Sequence, residues 1–375
     1  MSGSFVLAAG GTGGHLFPAA ALAGELLGHG KRVHFASEER TEAIARCLSG
    51  VEIHRVRAGR FGRGPGRTVQ ALAEIALGVM QARHLLRRLA PTVVIGFGGY
   101  SSVPTMLAAI SLGLPTLIHE QNAVLGRANR LLAPLARLIA TSFPTTAGLR
   151  LADSVRAVHT GNPVRQAILA VGASGYKAPV PGRPIELLIL GGSQGARILS
   201  EVVPSALEAL PEGLRKALRV SQQVRPEDLA AVAEIYRKAG ITAELKSFFD
   251  DMPMRLARAH LVICRAGASS MAEIATIGRP AVLIPYPYAT DDHQTANARA
   301  FAGSGAGWVI PQPNFSPGAL APYLDRLLAD GAALSAAALR AAAFGRRDAT
   351  QRLARLALDL LNSPTHSSEF RGHAA

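Results

Sequence analysis

The chain has 375 residues, of which 49% are hydrophobic and 18% charged. This length predicts two domains, and this composition excludes a disordered chain. The two cysteines, Cys47 and Cys264, are too few for a disulfide scaffold and favour a reducing compartment. Cys264 ends the apolar run 261–264 and is interpreted as a small buried residue. The apolar run at residues 5–9 is too short for a signal peptide and predicts a buried strand.

The formal net charge is +14, and residues 1–163 hold 17 Lys and Arg against 8 Asp and Glu. A basic surface suits an anionic partner. Nucleic acid is disfavoured because aromatic residues make up 5% of the chain and no recognition signature is present. A membrane surface is the better candidate. The uncharged stretch 92–118 is interrupted by Gly and Pro, so it predicts strand, loop, helix and strand rather than a membrane span.

Short apolar runs alternate with helix-length segments. Ten runs predict strands: 5–9, 32–36, 93–96, 116–118, 138–140, 185–190, 219–221, 244–247, 261–264 and 281–284. Because most of these runs are apolar throughout, they predict parallel sheets covered on both faces by helices.

An apolar strand runs into a Gly-rich turn and a helix at residues 6–14, and the same pattern returns at 187–195. This repetition predicts an α/β chain of two doubly wound domains. We expect the first domain over residues 1–163 and the second over 164–344. A helix over about 345–361 can pack back on the first domain, and the polar tail 362–375 is expected to be disordered.

The first Gly-rich loop runs from Gly10 to Gly14. Glycines let the backbone approach an anion, and the following helix offers unpaired N–H groups. The spacing fits neither the dinucleotide fingerprint, since Leu16 stands where a small residue is required, nor the P-loop. The loop therefore indicates another kind of phosphate or sugar turn, with a tight structural turn as the alternative. His15 fits either a general base or a hydrogen-bonded structural group.

The second half holds two similar helix starts. In the loop 191–197, Ser193 can bind a diphosphate oxygen, and Arg197 is either a phosphate contact or a solvated helix residue. The segment 265–273 follows a strand and opens a helix whose free amides suit a diphosphate. Glu273 can accept ribose hydroxyls or simply favour the helix dipole.

Further polar and aromatic groups lie near predicted strand ends. The amides of Gln294 and Asn297 suit sugar hydroxyls, and Phe248 and Phe249 fit either a flat base or the core. The polar run 119–122 stands at a strand's carboxyl end, which is the functional edge of an open α/β sheet. His, Cys and carboxylate residues show no metal-ligand spacing, and we interpret 291–293 as a solvated loop.

Six motifs follow one another along the chain: 10–18, 119–122, 161–165, 191–196, 264–273 and 293–298. Together they resemble the MurG family of bacterial N-acetylglucosaminyltransferases of peptidoglycan synthesis, over about residues 5–360. The resemblance implies the B-type glycosyltransferase fold, with two Rossmann-like domains facing across a deep cleft. It implies transfer from UDP-N-acetylglucosamine to lipid I (undecaprenyl-pyrophosphoryl-N-acetylmuramoyl-pentapeptide), giving lipid II and UDP. The anomeric centre is inverted by direct displacement, without a bound metal or other cofactor.

The resemblance also implies site residues. Donor contacts fall on Thr12, Gly13, Gly14, Asn122, Arg165, Ser193, Phe249, Ala268, Ser269, Ser270, Met271, Ala272, Glu273 and Gln294. Glu273 is assigned to the ribose and Gln294 to the sugar. His15 is assigned as the base, and Tyr100 and Glu120 belong to the acceptor or catalytic region. Family members often carry an aliphatic residue at the position of Phe249. The resemblance therefore implies recognition of uracil by the backbone at this position rather than by the side chain.

The segment after residue 67 predicts a helix with one apolar stripe, expected to face the core: Leu72, Ile75, Val79, Ala82, Leu86 and Leu89. Leu77, Met80, Arg83, Arg87 and Arg88 lie off that stripe. They predict a patch that docks on anionic lipid, with an ordinary solvated face as the alternative. The resemblance places the enzyme peripherally, on the cytoplasmic face of the plasma membrane.

Two other functions fit the same architecture. One is an isomerase like UDP-N-acetylglucosamine 2-epimerase, and the other is a module that binds UDP without turnover. An NAD-dependent oxidoreductase is disfavoured because the dinucleotide fingerprint fails.

Overall fold

The computed structural model describes residues 3–10, 13–38, 48, 50–59, 65–171, 175–192 and 195–362. The described chain divides into two compact units. Unit 1 holds the residues up to Gln121, Leu125–Pro163 and the residues from Asp348 onward. Unit 2 holds Asn122–Val124 and Val164–Arg347.

Unit 1 is built on a parallel sheet of seven strands, ordered β3-β2-β1-β4-β5-β6-β7. The strands are β1 Ser4–Ala8, β2 Arg32–Ser37, β3 Glu52–Arg55, β4 Val93–Gly96, β5 Thr116–Glu120, β6 Leu138–Thr141 and β7 Ala157–His159. The central strands β1, β4 and β5 are buried along their whole length. This explains why they are apolar without alternation.

Six described α-helices belong to unit 1: α1 Gly13–Gly28, α2 Pro65–Leu89, α3 Val103–Ser111, α4 Arg127–Leu132, α5 Leu151–Ser154 and α15 Ala349–Asn362. Alternate residues of β1 point to opposite faces of the sheet. Phe5 and Leu7 pack with residues of α1 and α15. Val6 packs on the other face, in a cluster with residues of α2, α3 and α4. Each face of the sheet therefore has its own core.

Unit 2 has a parallel sheet of six strands, ordered β10-β9-β8-β11-β12-β13. Its strands are β8 Ile185–Leu190, β9 Leu218–Gln223, β10 Thr242–Lys246, β11 Leu261–Cys264, β12 Ala281–Leu283 and β13 Gly307–Val309. Its described helices are α6 Gln166–Val171, α7 Arg197–Glu208, α8 Glu212–Ala217, α9 Leu229–Lys238, α10 Met252–Arg258, α11 Ala268–Ile277, α12 His293–Gly303, α13 Pro317–Ala329 and α14 Gly331–Phe344.

The predicted fold class, two doubly wound α/β domains with parallel sheets, is confirmed. All ten predicted strands are present, with ends that differ by at most a few residues. Three further strands, β3, β7 and β13, are short strands at sheet edges. The rule of continuous apolar runs does not find them, because an edge strand is partly exposed. Cys264 is buried as expected, whereas Cys47 and residues 363–375 lie outside the described residues.

One position of the apolar stripe on α2 was predicted wrongly. Leu72 is 54% exposed, while Ala82 and Leu86 are buried as predicted. The reason is a close backbone contact on the buried side of the helix. A Cβ atom at Gly78 would stand 2.0 Å from the carbonyl oxygen of Arg57. The buried face is thus centred on small residues that allow this contact, and it turns Leu72 outward.

We predict that Leu353→Ala destabilises unit 1 by about 2–5 kcal/mol, because it opens a cavity where α15 meets the sheet. Denaturant unfolding followed by far-UV circular dichroism measures the change. The single tryptophan, Trp308, lies on β13 of unit 2, so its fluorescence reports on that unit separately. Gln351→Ala, at an exposed position of the same helix, is the control. An equal shift of the Trp308 transition would contradict packing of α15 within unit 1 alone.

Candidate active site

In each sheet the chain reverses its strand order at one point. This point lies between β1 and β4 in unit 1 and between β8 and β11 in unit 2. Loops that leave the carboxyl ends of two such strands diverge, and ligands of open α/β sheets bind in the crevice between them. The Gly-rich loops predicted from the sequence follow β1, β8 and β11. Thr12 and Ser193 of these loops lie outside the described residues.

In unit 1, His15 stands in the first turn of α1, against the backbone that follows β4. Gly98 and Gly99 have φ values of 81° and 74°. A Cβ atom on either glycine would stand 3.4 Å from the imidazole ring of His15. The left-handed backbone and this close approach both favour glycine. The imidazole ring of His15 therefore packs directly against the backbone of these two glycines.

Hydrogen bonds fix the proton positions on two histidines. The carbonyl of Gly161 can only accept, so His119 donates to it from Nε2 at 3.2 Å and offers a lone pair at Nδ1. Gln121 donates from Nε2 to that Nδ1 at 3.0 Å and to the carbonyl oxygen of Phe97 at 2.9 Å. Its Oε1 therefore accepts from Nδ1 of His15 at 3.1 Å. The lone pair of neutral His15 is consequently at Nε2, as a general base requires.

Burial sets the charge state of this chain of groups. His119 and Gln121 are 0% and 2% exposed. Desolvation lowers the pKa of His119 to about 4 from its ordinary value of 6.5. The ring is thus neutral at pH 7 and keeps the tautomer that orients Gln121. His119 is a positioning residue for His15.

The polar run 119–122 is largely interior. The strand β5 extends through Glu120, and His119, Glu120 and Gln121 are all buried. Glu120 Oε2 accepts from the backbone N–H of Gly126 and from Nδ2 of Asn129, both at 2.9 Å. These bonds fix the loop that follows β5. Tyr100, in the short 3-10 helix after β4, is 38% exposed at the same edge of the sheet.

In unit 2, α11 begins directly after the loop that follows β11. Gly267, the residue before the helix, has no side chain to cover the first amides. The predicted donor contacts 268–273 form the first six positions of α11, so the early amides are the groups suited to an anion. Met271 and Glu273 are buried. Arg265 belongs to the predicted segment 265–273 but was not predicted as a donor contact. It adds positive charge beside this turn and donates to the carbonyl oxygens of Ile284 and Pro285.

Two predicted donor residues bind one another. Arg165 donates from Nε to Oε1 of Glu273 at 2.7 Å and from Nη2 to Oε2 at 2.8 Å. This bidentate geometry is the strong form of a charged hydrogen bond. The side chain of Glu273 is 10% exposed and that of Arg165 34% exposed. The pair holds the carboxylate in one orientation and leaves each oxygen further lone pairs for hydroxyl donors.

Asn297 has a different role from the sugar contact that the sequence indicated. It is fully buried, accepts from the backbone N–H of Ala123 at 2.8 Å, and donates from Nδ2 to the carbonyl oxygen of Ala266. Nδ2 also lies 3.1 Å from Oδ1 of Asn122. It therefore ties the short segment 122–124 to the loop before α11. Gln294 accepts from the backbone N–H of Tyr286 at 2.9 Å, which leaves its amide nitrogen as the group to offer a ligand.

Two alternatives from the sequence are decided by geometry. Phe249 is 1% exposed and stacks under Arg255, whose guanidinium carbon lies 4.1 Å from the ring centroid. Its side chain belongs to the core, so only its backbone is available to a nucleotide base. Arg197 forms an ion pair with Glu201 at 2.8 Å on an exposed helix face. This contact favours the interpretation of Arg197 as a solvated helix residue.

The two units match two domain families. Residues 5–141 match the glycosyltransferase family 28 N-terminal domain, and residues 186–353 match the glycosyltransferase family 28 C-terminal domain. The chain belongs to glycosyltransferase family 28. It is therefore a glycosyltransferase with the B-type architecture of two Rossmann-like domains.

Curated relatives cover nearly the whole chain. A protein of Rhodospirillum centenum is 53% identical over 93% of this chain and 92% of its own. A protein of Rhizobium etli is 45% identical over 98% of both. Both are named UDP-N-acetylglucosamine--N-acetylmuramyl-(pentapeptide) pyrophosphoryl-undecaprenol N-acetylglucosamine transferase.

Solved structures agree with this assignment. MurG of Acinetobacter baumannii has a TM-score of 0.77 and 32% identity, over 95% of this chain and 99% of that one. The predicted resemblance to the MurG family is confirmed. A UDP-N-acetylglucosamine 2-epimerase of Neisseria meningitidis has a TM-score of 0.67 at 13% identity, over 95% of this chain and 100% of its own. At that identity the likeness shows a shared fold alone.

We predict that Gln121→Leu lowers kcat for glycosyl transfer by about 10- to 100-fold and leaves the donor KM nearly unchanged. The variant removes the acceptor that fixes the proton on Nδ1 of His15. Steady-state release of the nucleotide product measures both constants. Gln81→Leu, which removes a glutamine acceptor from the backbone N–H of Arg57, is the matched control and should keep the kcat of the wild type. A kcat of Gln121→Leu within twofold of wild type would show that the tautomer is set elsewhere.

We predict that unit 1 loses stability as the pH falls from 6.5 towards 4. In this window the unfolded chain protonates His119 and the folded chain does not, because burial holds the folded pKa near 4. The contribution to the slope is up to about 1.4 kcal/mol per pH unit. Unfolding free energies of wild type and His119→Asn, measured by circular dichroism at several pH values, give the difference in slope. The exposed-residue variant His29→Asn should keep the wild-type slope, and an unchanged slope in His119→Asn would refute the assignment.

Proposed function

We propose that this chain transfers N-acetylglucosamine from UDP-N-acetylglucosamine to the 4-hydroxyl of the N-acetylmuramoyl sugar of lipid I, giving lipid II and UDP. One observation carries the proposal. Relatives named for this reaction are 45–53% identical to the chain over 93–98% of its length. An isomerase of the 2-epimerase kind is not favoured, because its relatives in structure share only the fold.

Unit 2 supplies the donor contacts. The first amides of α11 bind the diphosphate, where the positive end of the helix dipole favours negative charge. Glu273, held by Arg165, accepts the two ribose hydroxyls. Gln294 donates its amide to the sugar, and the backbone at Phe249 reads the edge of the uracil ring. Of the remaining predicted contacts within the described residues, Gly13 and Gly14 belong to the first loop of unit 1, and Asn122 belongs to unit 2.

Unit 1 supplies the base. Nε2 of His15 takes the proton from the attacking hydroxyl of the acceptor while that oxygen forms its bond to C1 of N-acetylglucosamine. The bond from C1 to the β-phosphate oxygen breaks on the opposite face, so the anomeric configuration inverts. The electron pair leaves with UDP. The amides of α11 and the guanidinium of Arg165 stabilise the charge that develops there.

The assay that decides the proposal supplies labelled UDP-N-acetylglucosamine and lipid I in detergent, with EDTA present. We expect labelled lipid II and one UDP for each sugar transferred. Transfer is expected to fall by at least about 100-fold in His15→Ala, because a general base contributes about 10²- to 10⁴-fold. The matched control is His29→Ala, an exposed histidine of the same unit.

Three outcomes of this assay would contradict all or part of the proposal. Absence of transfer by folded wild-type protein contradicts the reaction. Release of an epimerised sugar from the donor alone supports the isomerase instead. Near-normal turnover by His15→Ala removes His15 as the base while the transferase assignment stands.

The outward face of α2 supports a peripheral membrane location, which we propose to be at the cytoplasmic face. Val69, Leu72, Leu77 and Met80 are between 45% and 68% exposed, and Arg87 follows them on the same side of the helix. An apolar strip that ends in basic residues suits an anionic bilayer. No single described helix is long and apolar enough to cross a membrane. One pair bent by 88°, Pro317–Ala329 with Gly331–Leu361, meets that test only by combined length and composition, as core helices also do.

We predict that the triple variant Leu77→Ser, Met80→Ser, Arg87→Gln binds anionic vesicles at least about fivefold more weakly than wild type, since each basic residue contributes about 1 kcal/mol near the surface. Arg83 is left intact because it donates to Ser111 of α3 and has a structural role. Cosedimentation with vesicles measures the partition. Leu339→Ser, at a leucine of unit 2 that is 74% exposed, is the control. Equal binding by the triple variant would favour an ordinary solvated face.

A further inference from the structure

Two histidines and a carboxylate meet at the outer edge of the unit 1 sheet. His34 lies on β2, and Glu52 and His54 lie on the edge strand β3. The parallel register pairs His34 with Glu52 and Ala36 with His54. All three side chains therefore project from the same face of the sheet, and none of them belongs to the predicted site residues. Ala36 packs there with residues of α2, so this is the face that α2 covers.

The ligating atoms of the three residues converge. Nδ1 of His34 lies 3.2 Å from Nε2 of His54 and 3.3 Å from Oε2 of Glu52. Nε2 of His54 lies 3.7 Å from the same carboxylate oxygen. Two ligands at about 2.0–2.1 Å from a tetrahedral Zn²⁺ ion are about 3.3–3.4 Å apart. The observed triangle thus has close to the edge lengths of one face of a zinc tetrahedron.

We propose that His34, Glu52 and His54 bind one Zn²⁺ ion, which links the edge strand β3 to β2. Imidazole nitrogen with carboxylate oxygen is a donor set that zinc accepts readily. The fourth position is left to water, because the side chain of Glu52 is 64% exposed while those of His34 and His54 are 14% and 9% exposed. The sequence spacing does not indicate this site, since Glu52 lies 18 positions after His34 and only the strand register brings them together.

Charged side chains near the three ligands both attract and repel a cation. Glu52 supplies the negative charge that a cation needs, while Arg88, in the last turn of α2, acts on His54 with positive charge. The alternative to a metal is a hydrogen-bonded pair of imidazoles beside a carboxylate. The two cases differ in whether the full chain takes up zinc.

The test uses the full chain after removal of metal with a chelator and dialysis. Zn²⁺ is titrated against a chromophoric competitor at neutral pH, and bound Co²⁺ is examined by visible spectroscopy for tetrahedral coordination. We expect one ion per chain and a tetrahedral cobalt spectrum. His34→Ala and His54→Ala should each weaken binding by more than the roughly 10- to 100-fold that loss of a hydrogen bond to a ligand causes.

His29→Ala is the matched control, because His29 also lies beside a carboxylate, Glu25 at 3.6 Å, without a third ligand among the described residues. It should bind zinc like the wild type. Glu52→Gln keeps the shape of an exposed side chain and provides a ligand variant that is expected to fold, as circular dichroism checks. Zinc should raise the Tm of wild type and of His29→Ala but not of the ligand variants. No uptake by wild type, or equal uptake by the ligand variants, overturns the proposal.

Discussion

The parallel pairing of β1 with β4 and of β8 with β11 is the constraint on which the rest of the molecule depends. Parallel neighbours have their carboxyl ends at one edge, so the loops that leave them start side by side. At these pairs the strand order reverses and the following helices diverge to opposite faces. Each unit has its own crevice of this kind: the first amides of α11 lie at the one in unit 2, and His15 lies at the one in unit 1. Packing of a buried sheet and placement of reactive groups are thus results of one topology.

A buried polar chain is stable in unit 1 because each of its members has a partner. Burying an amide or an imidazole without hydrogen bonds costs on the order of 1–3 kcal/mol. Gln121 satisfies His119 and the carbonyl of Phe97 with one end and His15 with the other. Glu120 acts similarly on the loop after β5. The same bonds that make burial tolerable also fix the orientation of the groups that they join.

Much of the fold follows from the sequence because interior parallel strands are apolar without interruption. Leu261–Cys264 and Val93–Gly96 were predicted with their exact ends for this reason. The edge strand β3 could not be predicted, since its charged and half-exposed residues resemble a loop. Leu72 was misplaced because a contact between the backbones at Gly78 and Arg57 sets the rotation of α2, and a hydropathy pattern does not contain such contacts.

The sequence predicted which residues belong to the site, but not which side chains bind one another there. His15, Arg165 and Glu273 were singled out by motif. The pairing of the last two could not be read from the sequence, because they lie 108 positions apart and only the fold brings them together. From the sequence, Asn297 was interpreted as a sugar contact, because its amide suits sugar hydroxyls. In the structure this amide is buried and hydrogen-bonds to backbone groups. Only three-dimensional packing distinguishes a ligand contact from an internal hydrogen bond.

The return of α15 to unit 1 bears on how the protein is made. A ribosome delivers all seven strands of the first sheet, then Val164–Arg347 of unit 2, and only afterwards the helix that covers Phe5, Leu7 and Phe35. Until then this apolar face of unit 1 lacks part of its cover while translation continues. Unit 2 is contiguous apart from three residues and can fold earlier. The core on this face of unit 1 can therefore be completed only after the second unit has been synthesised.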